Sequence, residues 1–335
     1  MLNAKITGIA SYVPEFVLTN EKLSQMVDTN DEWITTRVGI KERRILDPSL
    51  VGEAKGEHVG SAYMGTQAIQ KLLNETGTDP KDVDLLICAT TNPDYRFPST
   101  ASIMAKDCGL VNCYGFDVQA ACAGFIVTMQ MAAAYIRSGM HKKVIVCAAE
   151  QMSSMTNYED RSTCPLFGDA AAAVLVEPTE EEGVGVIDCD IHVEGDCEHL
   201  LMHAGGSALP ASHETVDQRL HFVYQEGRAV YKHAVMDMVN SSRTVMERNG
   251  LKGSDVKWFV PHQANLRIIE AVGSRLDLTD EQVLVNIQVR GNTSGASIPL
   301  CIDENKHLFK KGDKVLLTAF GAGFTWGSMY LVWAY

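Results

Sequence analysis

The chain carries one pattern twice, in Asp82-Val-Asp-Leu-Leu-Ile-Cys-Ala (82–89) and in Asp255-Val-Lys-Trp-Phe-Val-Pro-His (255–262). Each segment follows a long stretch with helical spacing of its apolar residues. A second pair lies further along, with Lys142-Lys-Val-Ile-Val-Cys-Ala-Ala (142–149) matching Gly312-Asp-Lys-Val-Leu-Leu-Thr-Ala (312–319). Such self-similarity indicates an internal duplication. The sequence therefore predicts two similar halves, 1–178 and 179–335, divided near a polar, turn-rich stretch.

Short runs rich in β-branched residues alternate with longer stretches of helical spacing. We predict strands over 83–89, 115–118, 143–149, 170–176, 256–260, 283–287, 314–319 and 328–333. We predict helices over 59–76, 123–138, 230–249 and 264–276. The alternation favours an α/β protein with buried central strands. The stretch 183–226, rich in His, Gly and Asp, is interpreted as a connection.

The composition is that of an ordinary globular protein, since 46% of the 335 residues are hydrophobic and 21% are charged. A net charge of −13 argues against nucleic-acid binding, because phosphate contacts need a basic surface. No apolar run reaches the ~18–20 residues that span a bilayer, and no secretory signal is visible, so we expect a cytoplasmic protein without a membrane anchor. Nine cysteines without paired spacing favour free thiols.

Cys122 stands among small residues in Asp-Val-Gln-Ala-Ala-Cys-Ala-Gly-Phe (117–125), which permit a tight turn from a strand into a helix. Unpaired N–H groups and the dipole at a helix start favour a thiolate there. Far downstream, His262 in Val-Pro-His-Gln-Ala-Asn and Asn292 in Gly-Asn-Thr-Ser-Gly-Ala-Ser also follow apolar runs. Aligning the two halves gives Cys122 and Asn292 equivalent places. Taken singly, the histidine would be an ordinary residue and the asparagine a turn residue.

The three segments resemble the catalytic Cys, His and Asn motifs of β-ketoacyl-acyl carrier protein (ACP) synthase III, the condensing enzyme that starts bacterial fatty-acid synthesis. The resemblance runs from the segment 6–14 to the segment 320–328. It implies a thiolase-like α/β fold, with two duplicated halves in five layers, α-β-α-β-α, and a homodimer. It implies no cofactor beyond the substrates acyl-CoA and malonyl-ACP. Cys122 would take the acyl group, while His262 and Asn292 would donate hydrogen bonds to the malonyl thioester as it loses CO₂.

The resemblance also assigns substrate contacts. The backbone N–H of Ala322 would join that of Cys122 in an oxyanion hole, provided that Ala322 does not need a positive φ. Phe97 matches a residue that a partner subunit inserts to limit the acyl pocket. The CoA and pantetheine contacts fall on Trp33, Arg37, Arg161, Tyr231, Asn265 and Arg267. Core packing is the alternative interpretation for Trp33 and Phe97.

A basic patch is needed if an acidic carrier protein is to approach a chain of net charge −13. The resemblance places Lys232, Arg267 and Arg275 around the mouth of the substrate tunnel, where the phosphopantetheine of ACP enters. The alternative interpretation is three solvated side chains on surface helices.

Other functions have weaker support. The stretch 183–226 concentrates potential zinc ligands, but their spacing fits no standard zinc module, so we expect no metal. These ligands are Cys189, His192, Cys197, His199 and His203. No Gly-x-Gly-x-x-Gly opens a helix, which disfavours hydride transfer. The remaining alternatives are a related condensing enzyme making an alkylquinolone, pyrone or polyketide starter, a silent partner subunit, and a cysteine hydrolase. The intact Cys/His/Asn set disfavours the silent subunit, and no protease-like base pairs with Cys122.

Overall fold

The computed structural model describes residues 2–51, 59–195 and 198–335. Its strands are β1 Asn3–Tyr12, β2 Phe16–Thr19, β3 Glu42–Ile45, β4 Leu85–Ala89, β5 Tyr114–Val118, β6 Val144–Glu150, β7 Ala170–Thr179, β8 Gly185–Val193, β9 Leu200–Met202, β10 Val223–Gln225, β11 Trp258–Pro261, β12 Lys314–Gly321 and β13 Thr325–Val332. Its helices are α1 Asn20–Ser24, α2 Asp31–Val38, α3 Ser61–Thr76, α4 Thr100–Asp107, α5 Gly124–Arg137, α6 His213–Asp217, α7 Gly227–Arg248, α8 Leu266–Arg275, α9 Ile287–Arg290 and α10 Ser297–Asn305. Across the described ranges, no helix has the length and apolar character to cross a membrane.

Two large sheets repeat one strand order. The first sheet runs β1-β7-β6-β4-β5, and the second runs β8-β13-β12-β11. In both sheets two antiparallel pairs are followed by a parallel pair, which is β6 with β4 in the first sheet and β12 with β11 in the second. The duplication predicted from the sequence is therefore visible as a repeated topology. The predicted boundary at 178/179 lies near the end of β7 and stays a prediction.

Helices and sheets stack in five layers. Along β4, Leu85 and Ile87 face a core shared by both sheets and by α5 and α10, whereas Leu86 and Cys88 face α3 and α4. Period-2 alternation of this kind is what a strand buried on both faces produces. The outer face of the second sheet is covered by α7 and α8. This arrangement confirms the predicted thiolase-like α-β-α-β-α architecture.

The predicted strand over 283–287 is wrong. It occupies the place that β5 takes in the first sheet, yet it makes only one parallel bridge, between Phe259 and Val283. Beyond that bridge the Gln263 side chain replaces a partner strand: it donates to the Leu284 carbonyl at 3.3 Å and accepts from the Asn286 N–H at 3.0 Å. The neighbouring strand β11 ends at Pro261, which has no N–H for a ladder.

Six strands were missed by the sequence analysis: the short strands β2, β3, β9 and β10, and the longer strands β1 and β8 of the two large sheets. β1 interrupts its apolar residues with Gly8, where a Cβ would lie 2.3 Å from the Thr76 side chain. β8 lies inside the stretch 183–226, which is therefore not a plain connection; the rest of that stretch contains β9, α6 and β10. Both β1 and β8 are edge strands, where polar residues are tolerated and the apolar pattern is diluted.

Candidate active site

A cavity of about 1420 Å³ brings most of the predicted site residues together. Its wall combines residues of both halves, and Cys122 and His262, for example, are 140 positions apart in the sequence. The predicted residues that line it are Trp33, Arg37, Cys122, Tyr231, His262, Asn265, Arg267, Asn292 and Ala322. Phe97, Arg161, Lys232 and Arg275 are outside the lining.

Cys122 lies in a short 3-10 turn between β5 and α5, as the run of small residues predicts. Ala121 adopts a left-handed conformation with φ of 44°. The end of β12 packs against this turn so closely that a Cβ on Gly321 would lie 2.6 Å from the Cys122 nitrogen. Only small residues on both sides permit this approach. The approach places the backbone at the end of β12, just before Ala322, beside Cys122.

The matching turn of the second half contains Ser294, which is also left-handed with φ of 51° and precedes α10. Aligning the two left-handed residues sets Cys122 opposite Gly295. The equivalence of Cys122 and Asn292 inferred from the sequence is therefore wrong by three positions. Asn292 belongs instead to the segment that leads into the turn.

The resting Cys122 thiol is neutral. Burial raises its pKa to about 12; a hydrogen bond with Ser294 opposes this increase, and the charge of Glu150 adds to it. The expectation of a thiolate is thus not met, because removing the sulfur from water outweighs what the helix start contributes. Cys122 must lose its proton as it attacks.

His262 follows β11 and is buried, and this burial lowers its pKa to about 3. The imidazole is therefore neutral, as its proposed role requires. Its Nδ1 lies 2.7 Å from the Ser297 hydroxyl, and that oxygen also accepts from the Gln263 N–H at 3.4 Å. If the Ser297 hydroxyl donates to Nδ1, the imidazole proton lies on Nε2, as the role expected of His262 requires.

Asn292 is oriented by its neighbours. Its backbone N–H donates to the Leu166 carbonyl at 2.8 Å, and its Oδ1 accepts from the Ser294 N–H at 2.8 Å. The side-chain NH₂ remains to act as a donor. The chain approaches Leu166 closely just before Asn292, and Gly291 makes this possible. Its φ is 67°, and a Cβ there would lie 2.9 Å from the Leu166 carbonyl oxygen.

Ala322 meets the condition set for an oxyanion donor. Within the described ranges the non-glycine residues with positive φ are Ala121, Arg219, Asp277 and Ser294, and Ala322 is not one of them. An alanine can therefore stand in this loop without strain and still present its N–H.

At the entrance, the Trp33 ring contacts two guanidinium groups. Arg37 and Arg161 sit 4.5 Å and 4.7 Å from its ring centroid, and Arg161 also pairs with Asp28 at 3.2 Å. Trp33 packs on the small core around α2 as well, so both interpretations of this residue apply. Asn265 caps α8 by accepting from the Arg267 N–H at 2.9 Å.

The residues assigned to partners are exposed. Phe97 is 85% exposed, which excludes core packing within this chain. Lys232, Arg267 and Arg275 are exposed, and none takes part in the ion pairs found among residues 2–51, 59–195 and 198–335. Cys197 of the possible zinc cluster lies outside the described residues, and the described ones contain no group of three or more potential metal ligands.

Sequence reasoning missed four polar residues of the site. Arg96, Arg228 and Ser294 line the cavity, and Glu150 accepts a hydrogen bond from the Ser294 hydroxyl. Helical spacing could have found Arg228, which precedes Tyr231 by one turn of α7. The signal for Glu150 is a lone carboxylate ending the buried run Val-Ile-Val-Cys-Ala-Ala-Glu of β6.

The fold and this cavity define a thiolase-fold condensing enzyme. Residues 116–195 match the sequence model of 3-oxoacyl-[acyl-carrier-protein] synthase III, and residues 246–333 match that of its C-terminal part. Over all 335 residues the chain is 54% identical to a β-ketoacyl-[acyl-carrier-protein] synthase III of Porphyromonas gingivalis and covers 97% of it. It is 52% identical, with the same coverage, to β-ketoacyl-[acyl-carrier-protein] synthase III 2 of Bacteroides thetaiotaomicron.

Solved structures of β-ketoacyl synthases share the fold of this chain. The crystal structure of 3-oxoacyl-[acyl-carrier-protein] synthase III from Aquifex aeolicus superposes with a TM-score of 0.87 at 41% identity, covering 98% of this chain and 100% of that one. The priming β-ketosynthase of the R1128 polyketide pathway gives 0.88 at 31% identity, covering 99% and 96%. The chain belongs to the β-ketoacyl-[acyl-carrier-protein] synthase III family of condensing acyltransferases, as the resemblance implied.

Proposed function

We propose that this enzyme joins an acyl-CoA primer to malonyl-ACP and so initiates fatty-acid synthesis. The observation that carries the proposal is the common cavity in which a thiol, a neutral imidazole and an oriented carboxamide meet. Cys122 is the nucleophile, and His262 and Asn292 are the donors of the second half-reaction.

In the first half-reaction the Cys122 sulfur attacks the thioester carbon of acyl-CoA. The backbone N–H groups of Cys122 and Ala322 stabilise the tetrahedral oxyanion, because they are fixed in place before the charge develops. The C–S bond to CoA then breaks, and the CoA sulfur leaves as the thiol. An acyl group remains on Cys122.

In the second half-reaction malonyl-ACP enters and its C–CO₂ bond breaks. The electron pair moves toward the thioester carbonyl, whose oxygen becomes negative beside the His262 Nε2–H and the Asn292 NH₂. Neutral donors in a buried site stabilise this enolate more than the ground state. The enolate carbon then attacks the acyl-Cys122 carbonyl, and the C–S bond to Cys122 breaks. The products are 3-ketoacyl-ACP and the Cys122 thiolate, which takes up one proton from solvent to restore the resting thiol.

Substrate contacts follow from the cavity mouth. Trp33, Arg37 and Arg161 would hold the CoA nucleotide, and Tyr231, Asn265 and Arg267 the pantetheine arm. Lys232, Arg267 and Arg275 would receive ACP. These cations are exposed and free of ion pairs among the described residues, which supports their use for an acidic partner.

A homodimer in the cytoplasm completes the proposal. β5 is an edge strand whose outer side is unpaired within the described chain, and apolar side chains lie exposed next to it. An exposed edge flanked by apolar residues is suited to pairing with a second copy. Phe97 would then limit the acyl pocket of the partner subunit.

The nucleophile is tested by mass spectrometry after exposure to a panel of acyl-CoAs. We expect an acyl adduct that peptide mapping places on Cys122 and that Cys122→Ala abolishes. Cys113→Ala is the matched control, because Cys113 is another partly accessible thiol, and it should keep the adduct. An adduct on any other cysteine would overturn the assignment.

The same proteins separate the half-reactions. His262→Ala and Asn292→Ala should still acylate but lose malonyl decarboxylation by roughly 10²–10³-fold, the range for removal of one oxyanion donor. Release of CO₂ from malonyl-ACP measures this loss. Either variant condensing at the wild-type rate would refute the role of that residue.

A further inference from the structure

Glu150 is a buried carboxylate that the half-reactions above do not use. It ends β6 and is 1% exposed. Its oxygens accept from the Thr91 N–H at 3.1 and 3.2 Å, from the Thr91 hydroxyl at 3.0 and 3.1 Å, and from the Thr90 hydroxyl at 3.4 Å. None of the ion pairs of the described residues includes it. A buried charge without a cation is costly, so its presence behind the cavity wall needs a reason.

A further hydrogen bond links Glu150 to the second half of the chain. The Ser294 hydroxyl donates to Glu150 Oε1 at 3.2 Å. The backbone N–H of the same serine donates to Asn292 Oδ1 at 2.8 Å. Ser294 therefore joins the buried carboxylate to the carboxamide, with its hydroxyl bonded to the first and its N–H bonded to the second.

The conformation of Ser294 gives this connection its importance. Its φ of 51° is left-handed, which is unfavourable at a residue other than glycine and persists only where neighbouring contacts hold it. The hydrogen bond to Glu150 is such a contact, and bonds to ionised groups are stronger than bonds between neutral ones. Without it the backbone at Ser294 would relax, and the N–H that orients the Asn292 amide would move.

We propose that Glu150 is a positioning residue for the second half-reaction: it holds Ser294, and Ser294 in turn directs the Asn292 NH₂ toward the malonyl thioester. This inference rests on the proposed function, because it names what sets the geometry of one decarboxylation donor. The path Thr91–Glu150–Ser294–Asn292 begins in the half that carries Cys122 and ends in the other half. Glu150 thus fixes the carboxamide relative to the nucleophile.

The ionised form of Glu150 suits this role. Burial raises its pKa to about 7, while the hydrogen bonds from Thr91, Ser294 and Thr90 oppose the increase. Above pH 7 the carboxylate is ionised, and its two oxygens accept from both halves of the chain at once. The alternative interpretation is that Glu150 only fastens the turn after β4 to the end of β6. In that case its loss would not act through Asn292.

Parallel measurements of the two half-reactions distinguish these interpretations. Release of CO₂ from malonyl-ACP and acylation of Cys122 should both be followed above pH 7, where Glu150 is ionised. Ser294→Ala removes the hydroxyl and keeps the N–H, and Glu150→Gln replaces one accepting oxygen by an NH₂ group. Each should lower the maximal rate of decarboxylation by roughly 10–10²-fold, the cost of a small displacement of a reacting group. Acylation should lose at least about tenfold less, and the KM for malonyl-ACP should change little.

The decisive measurement repeats both changes in the Asn292→Ala background. Once the carboxamide is gone, Glu150 and Ser294 no longer have a donor to position. Neither change should then lower CO₂ release by more than about twofold further, because residues that act in series are not additive. A general loosening of the active site would lower it again.

Two variants outside the cavity lining are matched controls. Ser241→Ala removes another buried hydroxyl, which bonds to the Ser328 hydroxyl at 2.8 Å. Asp313→Asn changes a half-buried carboxylate that accepts from the Trp258 indole N–H at 3.0 Å and from the Lys310 N–H at 2.9 Å. Both variants should keep the wild-type rates of acylation and of CO₂ release.

Three results would overturn the inference. They are wild-type decarboxylation in Ser294→Ala, equal losses in the two half-reactions, and losses in the Asn292→Ala background as large as those in the wild type. Ser294→Ala decides the question alone if Glu150→Gln fails to fold. If Asn292→Ala itself releases CO₂ at the wild-type rate, the proposed role of Asn292 fails first, and the inference fails with it.

Discussion

The polar residues of the site are fixed by the bonds on their far sides. Ser297 holds one nitrogen of His262, and Ser294 holds the carbonyl side of the Asn292 amide, so each presents a donor. Ser294 and Ser297 lie within five positions of Asn292 in the sequence. The sequence does not show which of the two contacts the Asn292 amide and which contacts the His262 imidazole. Their roles depend on the left-handed turn at Ser294, and a sequence pattern rarely reveals a positive φ at serine.

Glu150 also predicts how stability varies with pH. Its folded pKa, about 7, lies above the ordinary 4.5, so the unfolded chain releases this proton first as pH rises. The stability contributed by the protonated form is present below pH 4.5 and is lost as pH rises through 7. That shift corresponds to a loss of about 3 kcal/mol. Chemical denaturation should measure the free energy of unfolding of Glu150→Gln and of the wild type at both pH values. Because the variant lacks the carboxyl group, its stability relative to the wild type should increase by about 3 kcal/mol from pH 4.5 to pH 7. A difference independent of pH would contradict the raised pKa.

At the scale of elements, strongly apolar strands and long helices were predictable, and the edge strands β1 and β8 were not. β4, β6 and β12 are buried on both faces and read as continuous apolar runs. β1 and β8 carry mixed patterns because each is an edge. The prediction for 283–287 erred in the opposite direction. The residues there are typical of a strand, but β11 ends at Pro261 and offers no further backbone hydrogen bonds to a neighbouring strand.

Gln263 should therefore act as a substitute for a partner strand. Gln263→Ala would leave the carbonyl of Leu284 and the N–H of Asn286 without their buried side-chain partner. Unpaired buried groups cost ~1–3 kcal/mol each, so we expect the free energy of unfolding to fall by about 2–4 kcal/mol. Gln288→Ala, which removes a half-buried glutamine that makes no side-chain hydrogen bond to the described chain, is the control and should change stability little. Equal losses of stability in both variants would argue against the role of Gln263 as a substitute for a partner strand.

For the whole molecule, the duplication explains why the site lies where it does. The two left-handed turns, at Ala121 and Ser294, occupy equivalent places and contact each other, so the reactive groups of both halves converge in one cavity. The cavity opens toward exposed cations on a chain of net charge −13. A long-range repulsion and a local attraction therefore compete for an acidic carrier protein.

Arg267 tests which of these dominates at the mouth. It is exposed, lines the cavity and is the second residue of α8. Arg267→Glu should raise the KM for malonyl-ACP sharply, because it replaces attraction with repulsion, and the defect should shrink as added salt screens exposed charges over roughly 8–10 Å. Lys310→Glu, an equal charge change outside the cavity lining, is the control and should alter KM much less. First-step acylation by small acyl-CoAs should suffer less than condensation in Arg267→Glu. Equal losses with both substrates would mean that Arg267 grips CoA in general, and no loss with either would remove it from the patch that receives ACP.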